Sequence, residues 1–180
     1  MKTKQSTGFF WLQNYLSWIV YGLGALVIML MQNAPRLFPV IGYARPTPLI
    51  LFAICVAMFE GPRIGAIIGV FTGLLWDLYA FRLFGLNALL ILAITVTVGL
   101  LVQLILRTNF ISGMLLCGSG VVIHMLLDWL ICYALFMHEE TWTVLLKVYL
   151  PNALYTVILS PLMYWMVLGL ARFIRRKKNG

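Results

Sequence analysis

Three ionisable side chains, Asp77, His124 and Asp128, stand inside stretches that are otherwise almost wholly apolar. His124 and Asp128 are four residues apart, so on a helix they share one face. Two carboxylates and an imidazole held together could relay a proton, ligate a metal, or hydrogen-bond into a network that fixes helix packing. Two carboxylates with one histidine lack the ligand pattern of a zinc site. An intramembrane polar network of Asp77, His124 and Asp128 is therefore the first expectation, and a polar contact to a partner's transmembrane helix the second. His138-Glu139-Glu140 offers metal-ligand types with no second cluster and reads as a solvated loop. Cys55, Cys117 and Cys132 are odd in number and lie in apolar runs, as free thiols packing like small hydrophobes would. No activated nucleophile, paired-carboxylate motif or phosphate loop is present, so no catalytic residue, metal or cofactor is expected.

The elements that must hold these groups follow from composition. Of 180 residues, 63% are hydrophobic and only 10% charged, with a mean hydropathy of +0.99. A water-soluble domain is about half apolar and about a quarter charged, so a soluble globule and a disordered chain are both excluded. The net charge of +8 would suit nucleic acid in a polar chain. In one this apolar it marks cytoplasmic loops and contact with anionic lipid, so no nucleic-acid partner is expected.

About 20 apolar residues cross a bilayer core. Runs at 9–31, 64–81, 84–106, 110–137 and 150–174 meet or approach that length, and a shorter one at 45–60 crosses only if the bilayer thins or re-enters instead. The expected fold class is all-α: one polytopic membrane helix bundle over 1–180, with about six transmembrane helices. Six crossings leave both termini on one side. That side would hold Lys2, Lys4, Arg63, Arg107, Arg172, Arg175, Arg176, Lys177 and Lys178, nine in all, against Arg36, Arg45, Arg82 and Lys147, four, on the other. The excess places both termini in the cytoplasm and the chain in the cell membrane.

Gly61, Gly65, Gly69 and Gly73 recur every fourth residue and Asp77 continues the spacing. Each helical glycine costs roughly 0.8–1 kcal/mol relative to alanine, a loss that close backbone approach to another helix can offset in lipid. The stripe predicts a helix-packing face, filled either from within the chain, by a partner, or by a second copy as a homodimer. Counting 1.5 Å per residue, Asp77 lies roughly 21 Å from Arg63, and His124 and Asp128 lie roughly 21 and 27 Å from Phe110. All three share the outer half of the membrane, so Asp77 is expected near His124 or Asp128.

Arg172, Arg175, Arg176, Lys177 and Lys178 close the chain and read as an anionic-lipid anchor or a cytoplasmic partner contact. Pro151 suits the first turn of the last helix, while Ser160-Pro161 should kink its interior. Trp11, Trp18, Trp142 and Trp165 lie mostly toward span ends, as interfacial anchors do.

From Arg45 onward the order Arg45-Pro46, Glu60-Gly61-Pro62-Arg63, Gly65, Gly69, Gly73-Leu74-Leu75, Asp77, Gly85-Leu86-Asn87-Ala88-Leu89 resembles the rod shape-determining protein MreD family. Leu150-Pro151, Ala153-Leu154-Tyr155, Pro161-Leu162 and Tyr164 echo that family's last span. Two positions depart from the pattern: Thr47 stands where the family often has Asp, and Thr156 where it commonly has Asn. The resemblance implies a non-enzymatic subunit of the cell-elongation machinery that binds single-span MreC. Through MreC it would link cytoplasmic MreB filaments to the peptidoglycan polymerase RodA and its class B penicillin-binding partner. It also implies a six-helix fold similar to substrate-binding subunits of energy-coupling-factor transporters. A small-molecule-binding membrane subunit, with Tyr79, Asn87, His124 and Asp128 lining a pocket, is the alternative reading.

Overall fold

The computed structural model describes residues 5–34, 45–80, 84–105, 109–134 and 141–179. All regular structure among them is helical: α1 (Gln5–Asn33), α2 (Pro48–Glu60), α3 (Pro62–Ala80), α4 (Leu86–Leu104), α5 (Phe110–Trp129), α6 (Thr141–Val144), α7 (Leu150–Ile158) and α8 (Ser160–Asn179). Two π-helical turns intervene, Leu130–Ala134 at the end of α5 and Leu145–Tyr149 between α6 and α7.

At the centre stands α2, the shortest of the long elements at 13 residues, or about 20 Å. Every residue from Pro48 to Met58 is buried, because α1, α3, α4, α5 and α8 all pack on it. A helix that is apolar all round belongs in such a position, and its even hydrophobicity is why no outward face can be read from Leu49–Phe59. Both of its ends are fastened. At its start the Leu49 N–H donates to Gln32 Oε1 of α1 (3.3 Å), and the Thr47 N–H donates to Thr156 Oγ1 of α7 (3.0 Å). At its end Arg175 Nη2 of α8 donates to the Phe59 carbonyl (2.7 Å), and the Tyr21 hydroxyl of α1 to Glu60 Oε1 (2.9 Å).

The described residues hold two helical stretches that are individually long and apolar enough to cross a membrane, Leu86–Leu104 and Phe110–Cys132, and a third if the bent pair Trp142–Ile158 and Ser160–Arg176 is one span. The expected segment at 45–60 is helical only from Pro48, and protein rather than lipid surrounds it. The last expected span, 150–174, is longer than its hydropathy suggested: helix resumes at Thr141, inside what reads as a polar loop, and runs to Asn179. Its bend of 47° falls at Leu159, beside Ser160-Pro161, as the missing proline N–H requires. Pro151 sits in the first turn of α7, as expected, directly after the π-helical turn Leu145–Tyr149. His138, Glu139 and Glu140 lie outside the described residues, as do Lys2 and Lys4.

Candidate functional site

Three of the four striped glycines lie on one seam. As α3 runs from residue 62 to 73, α4 runs past it in the opposite sense, from 99 to 88, and no other pair of helices packs as extensively. A β-carbon on Gly65 would stand 2.5 Å from Ala57 Cβ and 2.8 Å from Ala57 Cα of α2. One on Gly69 would collide with the Thr95 side chain, and one on Gly73 with the backbone of Ala88 and Asn87. Gly99 completes the seam from the α4 side, where a β-carbon would lie 2.6 Å from Pro62 Cα. The stripe is therefore filled by the chain's own α4 and α2. Gly61 is not on that face. It is the corner between α2 and α3, at φ +87°, with nothing within 4 Å of where a β-carbon would go; its constraint is backbone conformation rather than space.

Asp77 closes the seam. Its Oδ2 accepts from the N–H groups of Gly85 (2.9 Å) and Ala88 (3.2 Å), and its Oδ1 from Asn87 Nδ2 (2.8 Å) and the Asn87 N–H (3.3 Å). The carboxylate of α3 thus serves as the N-terminal cap of α4, which has no cap of its own from Gly85. The first N–H groups of a helix lack intrahelical partners and carry partial positive charge. A buried anion is stable there because the preformed donors replace water. This local duty explains the continuation of the glycine spacing into an acid: the seam brings the start of α4 within reach of residue 77.

The expected hydrogen-bonded trio is not formed. Asp128 accepts a 2.6 Å hydrogen bond from the Tyr149 hydroxyl and a 3.6 Å contact from Cys132 Sγ. His124, 3% exposed, lies with its ring 6.3 Å from that of Trp76 on α3, and neither ring nitrogen has a hydrogen-bond partner among the described residues. Both carboxylates lie within electrostatic reach of it, so the three groups are neighbours, but neither acid hydrogen-bonds to the ring. Leaving a buried polar atom without a partner costs on the order of 1–3 kcal/mol. Asn87 Oδ1 is a further such atom.

Of the basic tail, Arg172 and Arg176 are exposed, but Arg175, although also exposed, is tied to the Phe59 carbonyl and holds α8 to the end of α2. That is a structural task the charge pattern did not announce. The side chains of Lys177 and Lys178 lie outside the described residues. Cys55 and Cys117, both buried free thiols, meet between α2 and α5 at 3.5 Å. Among the described residues no cluster of three or more His, Cys, Asp or Glu could hold a metal ion.

A seam of glycines ending in a capping aspartate, next to a buried central helix closed by Glu60-Gly61-Pro62, is the feature to compare. The family model for rod shape-determining protein MreD matches residues 12–174. The chain belongs to the MreD family. No curated protein and no solved structure matches it significantly. The two positions that depart from the MreD pattern face each other: Thr47 and Thr156 hydroxyls are 3.2 Å apart, and Asn152 beside them accepts from the Arg45 N–H (2.7 Å). Reading each position singly left both without a role. Only their spatial pairing shows that they fasten the start of α2 to α7.

Proposed function

We propose that this chain is a non-enzymatic scaffold of the rod-shape machinery, embedded in the cell membrane by six passes with both termini in the cytoplasm. In that role it binds MreC and, through it, couples MreB filaments to peptidoglycan synthesis by RodA and its class B penicillin-binding partner. The family match over residues 12–174 carries this reading. Its physical support is the lopsided charge. Arg63, Arg172, Arg175 and Arg176 gather at the end of the bundle where α2 finishes, α3 starts and α8 finishes, which suits the cytoplasmic leaflet and its anionic lipids.

Since the glycine seam is occupied from within, partner helices would use the outer faces instead. Leu115 and Leu126 of α5 and Leu154 and Leu162 of α7 and α8 are large exposed side chains there. The test is complementation together with crosslinking. The gene should restore rod shape to rod-forming cells depleted of their own MreD, and MreC should co-purify. A photo-crosslinking residue at one or more of these four positions, or on α1 or α4, should capture MreC. Round cells, with no MreC recovered from a stably inserted protein, would overturn the reading.

A further inference from the structure

We propose that His124 is the centre of an internal water site joining the α3–α4 hairpin to α5. Its imidazole is buried, and both ring nitrogens lack a partner among the described residues. A neutral imidazole has one N–H to donate and one lone pair to fill. Neither need is met by the groups around it. On α3, Asp77 gives its oxygens to the start of α4, and Trp76 offers His124 a ring rather than a hydrogen bond. On α5 itself, Asp128 is taken up by Tyr149 and Cys132. On α4, Asn87 donates to Asp77 and keeps an unpartnered Oδ1. One turn before His124, a β-carbon on Gly120 would meet Ile54 of α2 and Ile94 of α4 first.

The unmatched inventory is therefore the ring's own donor and acceptor, with Asn87 Oδ1 a second acceptor beside Asp77, which itself lies within electrostatic reach of the ring. Water, which both donates and accepts, fits that inventory. Buried waters occur where two to four polar groups converge without direct partners. A partner's side chain or a lipid headgroup does not reach a ring that is 3% exposed. The local backbone agrees: two π-helical turns, Leu130–Ala134 and Leu145–Tyr149, flank the Asp128–Tyr149 bond, and such turns gather at functional sites. Here solvent supplies the link between α5 and the hairpin that side chains supply elsewhere.

The full chain carries two histidines, so an H138Q background in lipid nanodiscs leaves one imidazole to label with 15N. Water-edited solid-state NMR at pH 7 should show a neutral ring receiving magnetisation from water as fast as known bound waters deliver it. A ring with no such transfer, or a doubly protonated ring paired with the carboxylates, would overturn the site. Thermal unfolding gives an independent sign. His124→Leu removes the water's anchor and should lower the melting temperature by on the order of 2–4 °C, with His124→Asn closer to the parent. A melting temperature raised by His124→Leu would mean a dry, unpartnered ring, and would sink the proposal.

Discussion

The α3–α4 hairpin and the α5–α7 quarter both use glycines and buried acids, yet they use them differently. In the hairpin, β-carbons on Gly73 and Gly99 would strike backbone atoms of Ala88 and Pro62. In α5, a β-carbon on Gly113 would meet the Tyr164 ring and Met58 Cε, and one on Gly120 the Ile54 Cδ1 tip. Backbone cannot give way unless a whole helix moves, whereas side-chain ends can. The acids repeat the contrast. Asp77 collects four hydrogen bonds from one helix start, while Asp128 is held by a tyrosine across a π-helical turn, beside a histidine whose nitrogens are unpartnered. One half is locked by main chain and the other is joined by side chains.

Substitution at the seam should therefore produce the largest effect. Gly73→Ala forces α4 away from α3 and should cost about 3 kcal/mol or more, which a melting curve in mild detergent would register as a fall on the order of 10 °C. Gly120→Ala, opposed by side-chain tips, should lose less than half of that. Equal losses at both positions would erase the distinction between the halves. Next in size is Asp77→Ala, which strands the donors at the start of α4. Hydrogen bonds to a charged group contribute about 1.5–3 kcal/mol and an N-cap about 0.5–2 kcal/mol, so a loss of about 2–3 kcal/mol is expected. Hydrogen exchange should show it first at Gly85–Ala88.

How much of this the sequence disclosed depends on whether one helix carried the signal. The all-helical class, the bend at Ser160-Pro161 and the close-packed face of Gly65, Gly69 and Gly73 each lie on a single periodic segment and could be read directly. The partner of that face could not, because Ala88, Thr95 and Gly99 form a looser series of small residues than α3 does. Depth counting brought Asp77 level with His124 but could not show which way the carboxylate turned. Its direction depends on α4 starting beside it. The roles of Arg175, Tyr149, Thr47 and Thr156 were hidden for the same reason: each acts on a residue at least 21 positions away. The helical stretch from Thr141 escaped hydropathy because Thr143 and Lys147, both exposed, interrupt its apolar residues.

In the side-chain-joined half, Tyr149→Phe keeps the ring and removes only the hydroxyl that donates to Asp128. About 1.5–2 kcal/mol should be lost, with faster amide exchange confined to Leu130–Ala134 and Leu145–Tyr149. Exchange that spread equally into α3 and α4 would mean that the two halves unfold as one unit and that the contrast has no energetic content.

The smallest effect should have the opposite sign. Gly169 sits on the exposed side of α8, and an added β-carbon would meet nothing within 4 Å. Gly169→Ala therefore removes the conformational cost of a helical glycine without introducing a contact, and the purified chain should gain somewhat less than about 1 kcal/mol. The same substitution measured with MreC present asks a separate question. If α8 meets lipid at that point, recovery of the proposed complex with MreC is unchanged and the gain persists. If a partner backbone lies against Gly169, the methyl group that stabilises the isolated chain weakens the complex. The two measurements then diverge in sign, and Gly169 becomes an outward counterpart of the seam that α3 satisfies internally.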